Sequence, residues 1–531
     1  MAITNVTPDY SVDGQIDASQ VADIKASGFK TIICNRPDEE SGAVAHAIIK
    51  KEAKKQGLAF HYMPIAGSGI TADNVADLFK IWDQLEKPVL AYCRSGRRAE
   101  VVFKQAQLAK PVTSSGASKS NHAPTRVVIV GGGAAGISTA SSLMERSTDV
   151  AITIIDPSDV HAYQPGWTMV GGGIFNPEDT VRTMASQIPG GVKWIKKAVT
   201  GFQPKKNQVL IEGGEAIDYD QLVVCPGLTL DWQAIDGLEE TLGRNGVTSN
   251  YRFDLAPYTW ELVTGMKSGK AIFTQPAMPI KCAGAPQKAM YLSSDHWLRQ
   301  GVLDQIDIDF CNAGGVLFGV KEYVPALMEY VEKYNANLSF NSNLIAIDGK
   351  KKTATFAVTD ADGKTKKVKK TFDMIHVCPP QKNHAFVSES PLADGAGWVD
   401  VDQASLQHKR YANIWSLGDA ANTPNAKTAA AVRQQAPIVA ENLLAVAAGS
   451  SPPFQYTGYG SCPLTVERGR IVLAEFGYGG ALQPTFPKWM LNGQRPSRLA
   501  WFLKEKILPS LYWHGMLKGK EWMAKPKNLA S

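Results

Sequence analysis

Residues 126–147 read RVVIVGGGAAGISTASSLMERS, and residues 151–156 read AITIID. The first stretch opens with an apolar run typical of a buried strand, continues through consecutive glycines, and then takes on the pattern of a helix. AITIID supplies a second apolar strand. This order of elements predicts a βαβ unit, the building block of a doubly wound α/β fold.

The glycines of this turn have the spacing of a phosphate-binding loop. Gly131 permits the tight turn, Gly133 lets the backbone approach a pyrophosphate, and Gly136 allows the helix to pack closely on the strand. The N–H groups and the dipole of the helix favour a phosphate there. Asp156 ends the second strand, where a carboxylate binds a ribose hydroxyl. A purely structural turn is the alternative, but the context favours a dinucleotide site.

A second element of this kind lies further along the chain. ANIWSLGDAAN at 412–422 is an apolar strand that ends in Gly418 and Asp419, just before a helical stretch. It resembles the second cofactor motif of flavoproteins with two dinucleotide-binding domains. This resemblance implies FAD rather than NAD, with Asp419 on the ribityl or phosphate side. Asp419 as a plain helix cap is the alternative.

Length and composition predict several structural units. The chain has 531 residues, whereas a domain typically has roughly 100 to 200. We expect a small α/β unit at 1–108, an exposed linker at 109–124, a tandem Rossmann-like domain at 125–485 and an amphipathic segment at 486–531. The first unit also contains residues with helical spacing, which are Val75, Leu78, Phe79, Trp82 and Leu85.

Basic residues are concentrated at the C-terminus. The net charge is +6, and residues 486–531 hold nine Lys or Arg against two Glu. The segment is also rich in Trp, Leu and Tyr, which suits an anionic membrane surface better than nucleic acid. We expect apolar side chains to enter the membrane interface while lysines stay with the headgroups. The apolar set is Trp501, Phe502, Leu508, Leu511, Trp513 and Leu517, and the lysines are Lys504, Lys506 and Lys518.

A terminal helix that packs on its own core or on a dimer partner is the alternative for this segment. The sequence has no run of about 20 apolar residues and no recognisable signal peptide. It therefore predicts a peripheral, monotopic membrane protein on the cytoplasmic face of a bacterial inner membrane.

A nicotinamide is not the predicted electron donor. A second dinucleotide fold usually binds NAD(P)H, and its expected place is IDIDFCNAGGVLFGVKEY at 306–323, where the glycines do not spell G-x-G-x-x-G. The seven cysteines are too scattered for a secreted disulfide framework. Cys282 and Cys462 stand in Gly- or Pro-containing loops, and the chemistry is sought there. The cysteines at apolar strands are expected to be buried hydrophobes, namely Cys34, Cys225, Cys311 and Cys378.

Residues from about 125 to 520 resemble the sulfide:quinone oxidoreductase family, in the branch that includes the mitochondrial enzyme of animals. The resemblance rests on AYQPGWTMVGGG (162–173), KCAGAPQKAMYLS (281–293), GVLFGVKEY (315–323), AKTAAAVRQQ (426–435) and YGSCPLTVERGRIVLAEF (459–476). It implies FAD as cofactor and hydrogen sulfide and ubiquinone or a similar quinone as substrates. Glutathione, sulfite or a similar small molecule would accept the sulfur. Whether the chain forms a homo-oligomer stays open.

The resemblance also implies site residues. Cys282 and Cys462 correspond to the family's redox pair, in which hydrosulfide attacks at Cys462 and leaves a persulfide there and a thiolate on Cys282. The flavin then takes two electrons. Lys281 and Lys288 flank Cys282 and would lower the pKa of its thiol, although solvated surface lysines are the alternative. Candidates for hydrogen bonds to flavin or quinone oxygens are Lys427 and Thr428.

CRSGRR at 93–98 forms a second candidate site. Cys93 ends a strand and Arg98 precedes a helix. Loop N–H groups, the helix dipole and the guanidinium would therefore favour a thiolate, a persulfide or an oxyanion. The first 108 residues resemble rhodaneses and the dual-specificity-phosphatase-like domain of β-lactamase-hydrolase-like proteins.

The spacing of this loop follows the rhodanese pattern, because phosphatases have five residues between Cys and Arg and position 99 is Ala. We expect Cys93 to carry a persulfide, with Arg94 and Arg98 as anion holders. A phosphatase with Asp38 as general acid, and a silent docking domain, stay open.

Two other functions stay open for the whole chain. A type II NADH:quinone dehydrogenase shares the fold and a C-terminal membrane surface, but the degenerate second fingerprint and the cysteine pair count against it. A flavin-containing sulfur sensor or scaffold would use Cys93 as its signalling thiol.

Overall fold

The computed structural model describes residues 3–66, 84–108 and 123–526, together with residues 74, 77, 78, 81 and 82. The chain divides into two compact units, Met1–Asn121 and His122–Ser531. Most of the expected linker at 109–124 lies outside the described residues, as do 527–531. Of the predicted helical positions in the first unit, Val75 and Phe79 lie outside them too.

The first unit is built on a five-stranded sheet. Its order is Thr4–Thr7, Tyr10–Asp13, Val89–Tyr92, Thr31–Cys34 and Ala59–Tyr62, where the first pair is antiparallel and the others are parallel. Helices span Val21–Ala26, His46–Lys55 and Arg97–Leu108. The central strand VLAY is apolar and fully buried because each face of the sheet carries an apolar cluster. Cys93 follows this strand directly.

The second unit contains the predicted dinucleotide-binding fold. Its parallel sheet has the order Lys193–Ile195, Val150–Ile155, Thr125–Val130, Gln221–Val224 and Ile414–Ser416. The glycine turn leads from Thr125–Val130 into the helix Ala134–Met144, and the helix Ala429–Ala447 packs beside that helix. The predicted βαβ unit and the α/β fold class are confirmed.

A second parallel sheet follows in the same unit. Its order is Val247–Thr248, Met374–His376, Gly269–Gln275, Ile306–Asn312 and Asn337–Ser339. Apolar side chains pack three helices against it, which are Ala256–Gly265, Ala285–Arg299 and Val324–Lys333. The unit therefore holds two Rossmann-like sheets.

Antiparallel strands and short helices complete the second unit. The hairpin Gly460–Glu467 and Arg470–Phe476 shares an apolar cluster with the helix Ala285–Arg299, which brings Cys462 to the loop before that helix. Three-stranded sheets span Val199–Gln203, Gln208–Ile211 and Ala216–Asp218, and Ser342–Asp348, Thr353–Thr359 and Thr365–Thr371. Short pairs join Val160–Ala162 with Val181–Thr183 and Thr229–Leu230 with Gln381–Lys382. Short helices span Trp167–Val170, Met184–Gln187 and Ala385–Ser388.

The C-terminal segment folds back onto the second unit. Helical turns span Arg498–Phe502, Leu503–Ile507 and Leu508–His514, and the middle one has π-helical hydrogen bonds. Polar contacts tie this segment to the dinucleotide fold, since the Tyr512 hydroxyl lies 2.7 Å from Nε2 of His161. No helix among the described residues is long and apolar enough to cross a membrane.

Part of the membrane prediction for this segment is wrong. Trp501, Trp513 and Leu517 are buried in apolar clusters of the second unit, so they are not available to a membrane interface. Lys504 is 2% exposed and donates a hydrogen bond to the backbone oxygen of Pro165 at 2.8 Å, so it does not lie at a headgroup surface. Phe502, which is 52% exposed, remains available.

Candidate active site

The loop that carries Cys282 stands where a second dinucleotide site would have its glycine turn. It joins the strand Gly269–Gln275 to the helix Ala285–Arg299, which returns to the parallel strand Ile306–Asn312. In a Rossmann fold the phosphate-binding turn follows the first strand of such a unit. The prediction that the degenerate fingerprint lies at 306–323 is therefore wrong, because that stretch begins with the second strand of the unit, Ile306–Asn312. The loop itself reads PAMPIKCAG and has a single glycine.

The structure brings Cys282, Cys462 and Lys288 together. The Lys288 ammonium donates to Cys282 Sγ at 3.2 Å, and the side chains of Lys288 and Cys462 are buried. Cys282 has a left-handed backbone with φ of 50°, and its N–H donates to the backbone oxygen of Lys427 at 2.9 Å. Gly284 leaves room for Cys462, since a Cβ there would lie 2.5 Å from Cys462 Sγ.

The two cysteines have opposite electrostatic character. The Cys462 thiol hydrogen-bonds to Cys282 and, together with the charge of Lys288, holds the pKa of Cys282 well below its usual range. The same hydrogen bond and burial raise the pKa of Cys462 well above its usual range. Burial by itself lowers the pKa of Lys288, but the neighbouring sulfurs of Cys282 and Cys462 outweigh burial, so the pKa of this lysine is raised. The ammonium contact of Lys288 thus favours a thiolate on Cys282 over one on Cys462.

Lys504 is a part of this site that sequence reasoning missed. Burial lowers its pKa to about 7, an effect reinforced by Lys288 and opposed by Cys282 and Cys462. It lies on the π-helical turn Leu503–Ile507, a feature that often occurs at functional sites. Helical spacing was the available signal, because it places Lys504 on the same helix face as the apolar Trp501 and Leu508.

Lys427 and Thr428 lie beside the second cofactor motif. The Lys427 ammonium donates to the backbone oxygens of Asp419 and Ala421, each at 2.8 Å, and burial lowers its pKa to about 8. Burial raises the pKa of Asp419, against the charge of Lys427. The Thr428 hydroxyl caps the helix Ala429–Ala447.

The glycine turn has the form that a dinucleotide requires. A Cβ at Gly131 would lie 2.5 Å from the backbone oxygen of Cys225, and a Cβ at Gly136 would lie 1.8 Å from that of Gly131. Gly133 instead faces open space at the start of the helix. The Gly132 N–H donates to Asp156 at 2.6 Å, which fixes the carboxylate at the strand end. Gly418 has φ of 71° in the second motif. These residues fit the pyrophosphate and ribose of a dinucleotide cofactor.

In the first unit, Arg98 of the Cys93 loop already makes hydrogen bonds to other residues of the protein. Cys93 is buried, and the Arg98 guanidinium donates to Glu40 and to the backbone oxygen of Ile65, each at 2.6 Å. Glu40, in the stretch NRPDEE, was missed as a partner because it is distant in sequence. Asp38 accepts bonds from the N–H of His46 at 2.8 Å and lies 2.6 Å from its ring nitrogen. These bonds lower the pKa of Asp38.

Comparisons with known proteins agree with both units. Residues 2–109 match the family model "Beta-lactamase hydrolase-like protein, phosphatase-like domain", and residues 125–260 match "Pyridine nucleotide-disulphide oxidoreductase". A mitochondrial sulfide:quinone oxidoreductase of Dictyostelium discoideum is 44% identical over 76% of this chain and 87% of its own length. The mitochondrial relative from Mus musculus is 39% identical, over 74% and 86%.

The solved structures give the same fold. The sulfide:quinone oxidoreductase of Aquifex aeolicus has a TM-score of 0.61 at 20% identity and covers 73% of this chain and 92% of its own. None of these comparisons supports a bacterial cytoplasmic membrane face. With an oxidoreductase domain in the second unit and curated relatives matched over most of their length, the chain belongs to the sulfide:quinone oxidoreductase family and carries an additional phosphatase-like N-terminal domain.

Proposed function

We propose that this chain oxidises sulfide to sulfane sulfur at Cys282 and Cys462 with FAD as cofactor, and that the electrons pass to a membrane quinone. The observation that carries the proposal is the asymmetry of the pair. Lys288 contacts Cys282 and favours a thiolate there, while the hydrogen bond to Cys282 and burial raise the pKa of Cys462. A disulfide between two such sulfurs breaks preferentially towards the more stable thiolate.

The chemistry follows from that asymmetry. Hydrosulfide attacks Cys462 of the oxidised pair, the disulfide bond breaks, and the new S–S bond leaves a persulfide on Cys462 and a thiolate on Cys282. Lys288 holds this leaving thiolate. A small acceptor such as glutathione or sulfite removes the outer sulfur, and the two thiols give up two electrons as their disulfide re-forms. The Gly131 turn and the Gly418 motif would hold FAD, which when bound would accept the two electrons.

Anaerobic addition of sulfide tests this reading against an NADH dehydrogenase. We expect sulfide to bleach the flavin within the turnover time and NADH to leave it oxidised, because the loop at 276–284 lacks a nicotinamide fingerprint. The measurement is stopped-flow absorbance of the oxidised flavin. Rapid bleaching by NADH together with none by sulfide would reject the proposal.

Access to the quinone is provided by the exposed part of the C-terminal region. Trp489, Phe502 and Ile507 are 83%, 52% and 42% exposed, and such side chains bind the membrane interface. The double variant Trp489→Glu, Phe502→Glu should bind vesicles of phosphatidylcholine and phosphatidylglycerol at least about tenfold more weakly in co-sedimentation. Val316→Glu, at a 61% exposed position, is the matched control. Equal binding by all three proteins would remove this surface as the membrane contact.

The first unit serves as a sulfur carrier through Cys93. The phosphatase alternative is disfavoured because Asp38 is held by His46, and a carboxyl with a lowered pKa is a poor general acid. A persulfide on Cys93 would lie at the start of the helix Arg97–Leu108, whose dipole favours an anion.

Replacing Cys93 by serine should separate the two activities. Sulfide-dependent quinone reduction should change by less than about twofold, because Cys93 and the cysteine pair belong to separate compact units. Onward sulfur transfer from glutathione persulfide to sulfite should fall about fivefold or more, because the carrier nucleophile is lost. Cys34→Ser, a buried thiol of the same unit, is the control. If transfer is unaffected, the unit is a docking domain or a scaffold; loss of quinone reduction as well would mean that the two sites are not separable.

A further inference from the structure

The last helical turns of the chain pack against the dinucleotide fold. They span Leu508–His514 and Met516–Lys518, and we call residues 508–521 the C-terminal clasp. The clasp contributes buried side chains to the apolar cluster that also contains the helix Ala134–Met144, and these are Tyr512, Trp513 and Leu517. The membrane contact proposed above uses none of them. Their burial indicates a role inside the second unit.

His161 joins the clasp to the glycine turn. It lies in the short strand Val160–Ala162 and is only 2% exposed. Its Nδ1 lies 3.0 Å from the backbone oxygen of Gly132, and its Nε2 lies 2.7 Å from the Tyr512 hydroxyl. A single ring thus connects the clasp with the middle one of three consecutive glycines.

The partners of His161 decide which ring nitrogen carries its hydrogen. A backbone oxygen can only accept a hydrogen bond, so Nδ1 donates to Gly132. Burial lowers the pKa of His161 and keeps the ring neutral, and a neutral ring has one N–H. Nε2 therefore accepts the hydroxyl hydrogen of Tyr512. The hydrogen bonds run in one direction, from Tyr512 through His161 to Gly132.

The bond to His161 fixes the peptide group between Gly132 and Gly133. This peptide is trans and planar, so its N–H points opposite to its C=O. Because the carbonyl of the buried Gly132 is held by His161, the N–H of the exposed Gly133 points away from His161. The preceding peptide is held as well, since the Gly132 N–H donates to Asp156 at 2.6 Å. Consecutive glycines have large backbone freedom, and these two bonds restrict it.

A second set of contacts holds the far end of the helix Ala134–Met144. The Ser141 hydroxyl donates to the backbone oxygen of Leu517 at 2.8 Å. Arg146, just beyond the helix, donates to the two carboxylate oxygens of Glu521 at 2.7 and 2.8 Å, and such a bidentate pair is geometrically specific. The clasp therefore contacts both ends of the turn and helix whose N–H groups favour a phosphate.

We propose that the C-terminal clasp holds the glycine turn in its cofactor-binding form, with His161 and Tyr512 as positioning residues that slow the loss of FAD. This inference rests on the proposed FAD cofactor. Without the bond to His161, the buried Gly132 carbonyl loses its partner and the peptide between Gly132 and Gly133 is free to rotate. The Gly133 N–H then loses the fixed direction that binding of a pyrophosphate requires, and the cofactor leaves faster.

The test measures FAD release from the full-length holoprotein. After dilution, the rise in fluorescence of free FAD gives the release rate. His161→Leu should release FAD at least about tenfold faster, because leucine can neither donate to Gly132 nor accept from Tyr512. Tyr512→Phe should release FAD about three- to tenfold faster, because the ring of His161 stays in place but loses the hydroxyl that orients it.

Two further variants separate directed hydrogen bonding from packing. His161→Asn should recover at least about threefold of the loss seen in His161→Leu, because its amide nitrogen is as many bonds from Cβ as Nδ1 is. Tyr334→Phe is the matched control for Tyr512→Phe. Tyr334 is also buried and its hydroxyl donates to the backbone oxygen of Val466 at 2.9 Å, but it packs in the cluster of the second sheet. Its release rate should stay within about twofold of that of the natural chain.

Hydrogen exchange of the holoproteins gives a second readout that does not depend on FAD release. Backbone amides of residues 131–137 should exchange at least about tenfold faster in His161→Leu than in the natural chain, with partial recovery in His161→Asn. The release rates decide the result if FAD leaves on dilution. The exchange rates decide it if FAD stays on every variant.

The outcomes separate this inference from the proposed function. A natural chain that neither carries nor takes up FAD would reject the proposed cofactor, and the inference with it. Equal rates for the natural chain and His161→Leu would overturn the inference while leaving the cofactor intact. Equal rates for His161→Leu and His161→Asn, both faster than the natural chain, would show that His161 acts through packing alone and would overturn the inference too.

Discussion

Replacing Cys462 by serine is expected to lower sulfide-dependent quinone reduction at least about 1,000-fold, since a nucleophilic pair fails when one member is lost. A serine oxygen cannot form a disulfide with Cys282 and cannot hold the transferred sulfur. The change also removes the thiol that hydrogen-bonds to Cys282 and lowers its pKa. The rate is measured with a short-chain quinone, so that membrane binding does not enter the result.

Cys311→Ser is the matched control for this experiment. Burial raises the pKa of Cys311 to about 12, and the residue lies in the strand Ile306–Asn312, outside the site. Its rate should stay within about threefold of the natural chain, because serine is a small change at a buried, protonated thiol. If Cys462→Ser kept a tenth or more of the natural rate, electrons would enter by another route, and the NADH dehydrogenase alternative would return.

The dinucleotide fold could be predicted from sequence because its determinants are local. Gly136 is required by its close approach to the backbone oxygen of Gly131 in the same turn, and Asp156 ends the strand that follows the helix. The pairing of Cys282 with Cys462 needed the family resemblance, because 180 positions separate the two residues. Periodicity alone contains no information about such a long-range contact.

The errors came from features that depend on packing. An amphipathic aromatic segment has the same spacing whether it meets a membrane or a core, so Trp501 and Phe502 could not be separated although one is buried and the other exposed. Lys504 was assigned to headgroups for the same reason. The nicotinamide loop was sought one strand too late because strand order within the second sheet is not visible in the sequence. The contact of Asp38 with His46 could not be predicted either, because it depends on how the two residues pack.

Lys504 gives the second large expected effect, which depends on pH. Its pKa of about 7 means that it is charged below pH 7 and neutral well above it. When charged it lowers the pKa of Cys282 and stabilises the thiolate. Lys504→Met should therefore slow flavin reduction by sulfide about 10- to 100-fold at pH 6, the range expected for removing one nearby charge. At pH 9 the lysine is already neutral, and the two proteins should differ by less than about threefold.

The quantity to follow across pH is the rate of the natural chain divided by the rate of Lys504→Met. Hydrosulfide titrates in the same pH range, but its effect cancels in this ratio. The ratio should fall from pH 6 to pH 9 with a midpoint near the pKa of about 7. Lys506→Met is the matched control, since that neighbour has a side chain that is 61% exposed and pairs with Glu505. The rate of the natural chain divided by the rate of Lys506→Met should not change with pH. A flat ratio for Lys504→Met as well would show that the buried ammonium does not act on the Cys282 thiolate, and Lys288 would remain as its cationic partner.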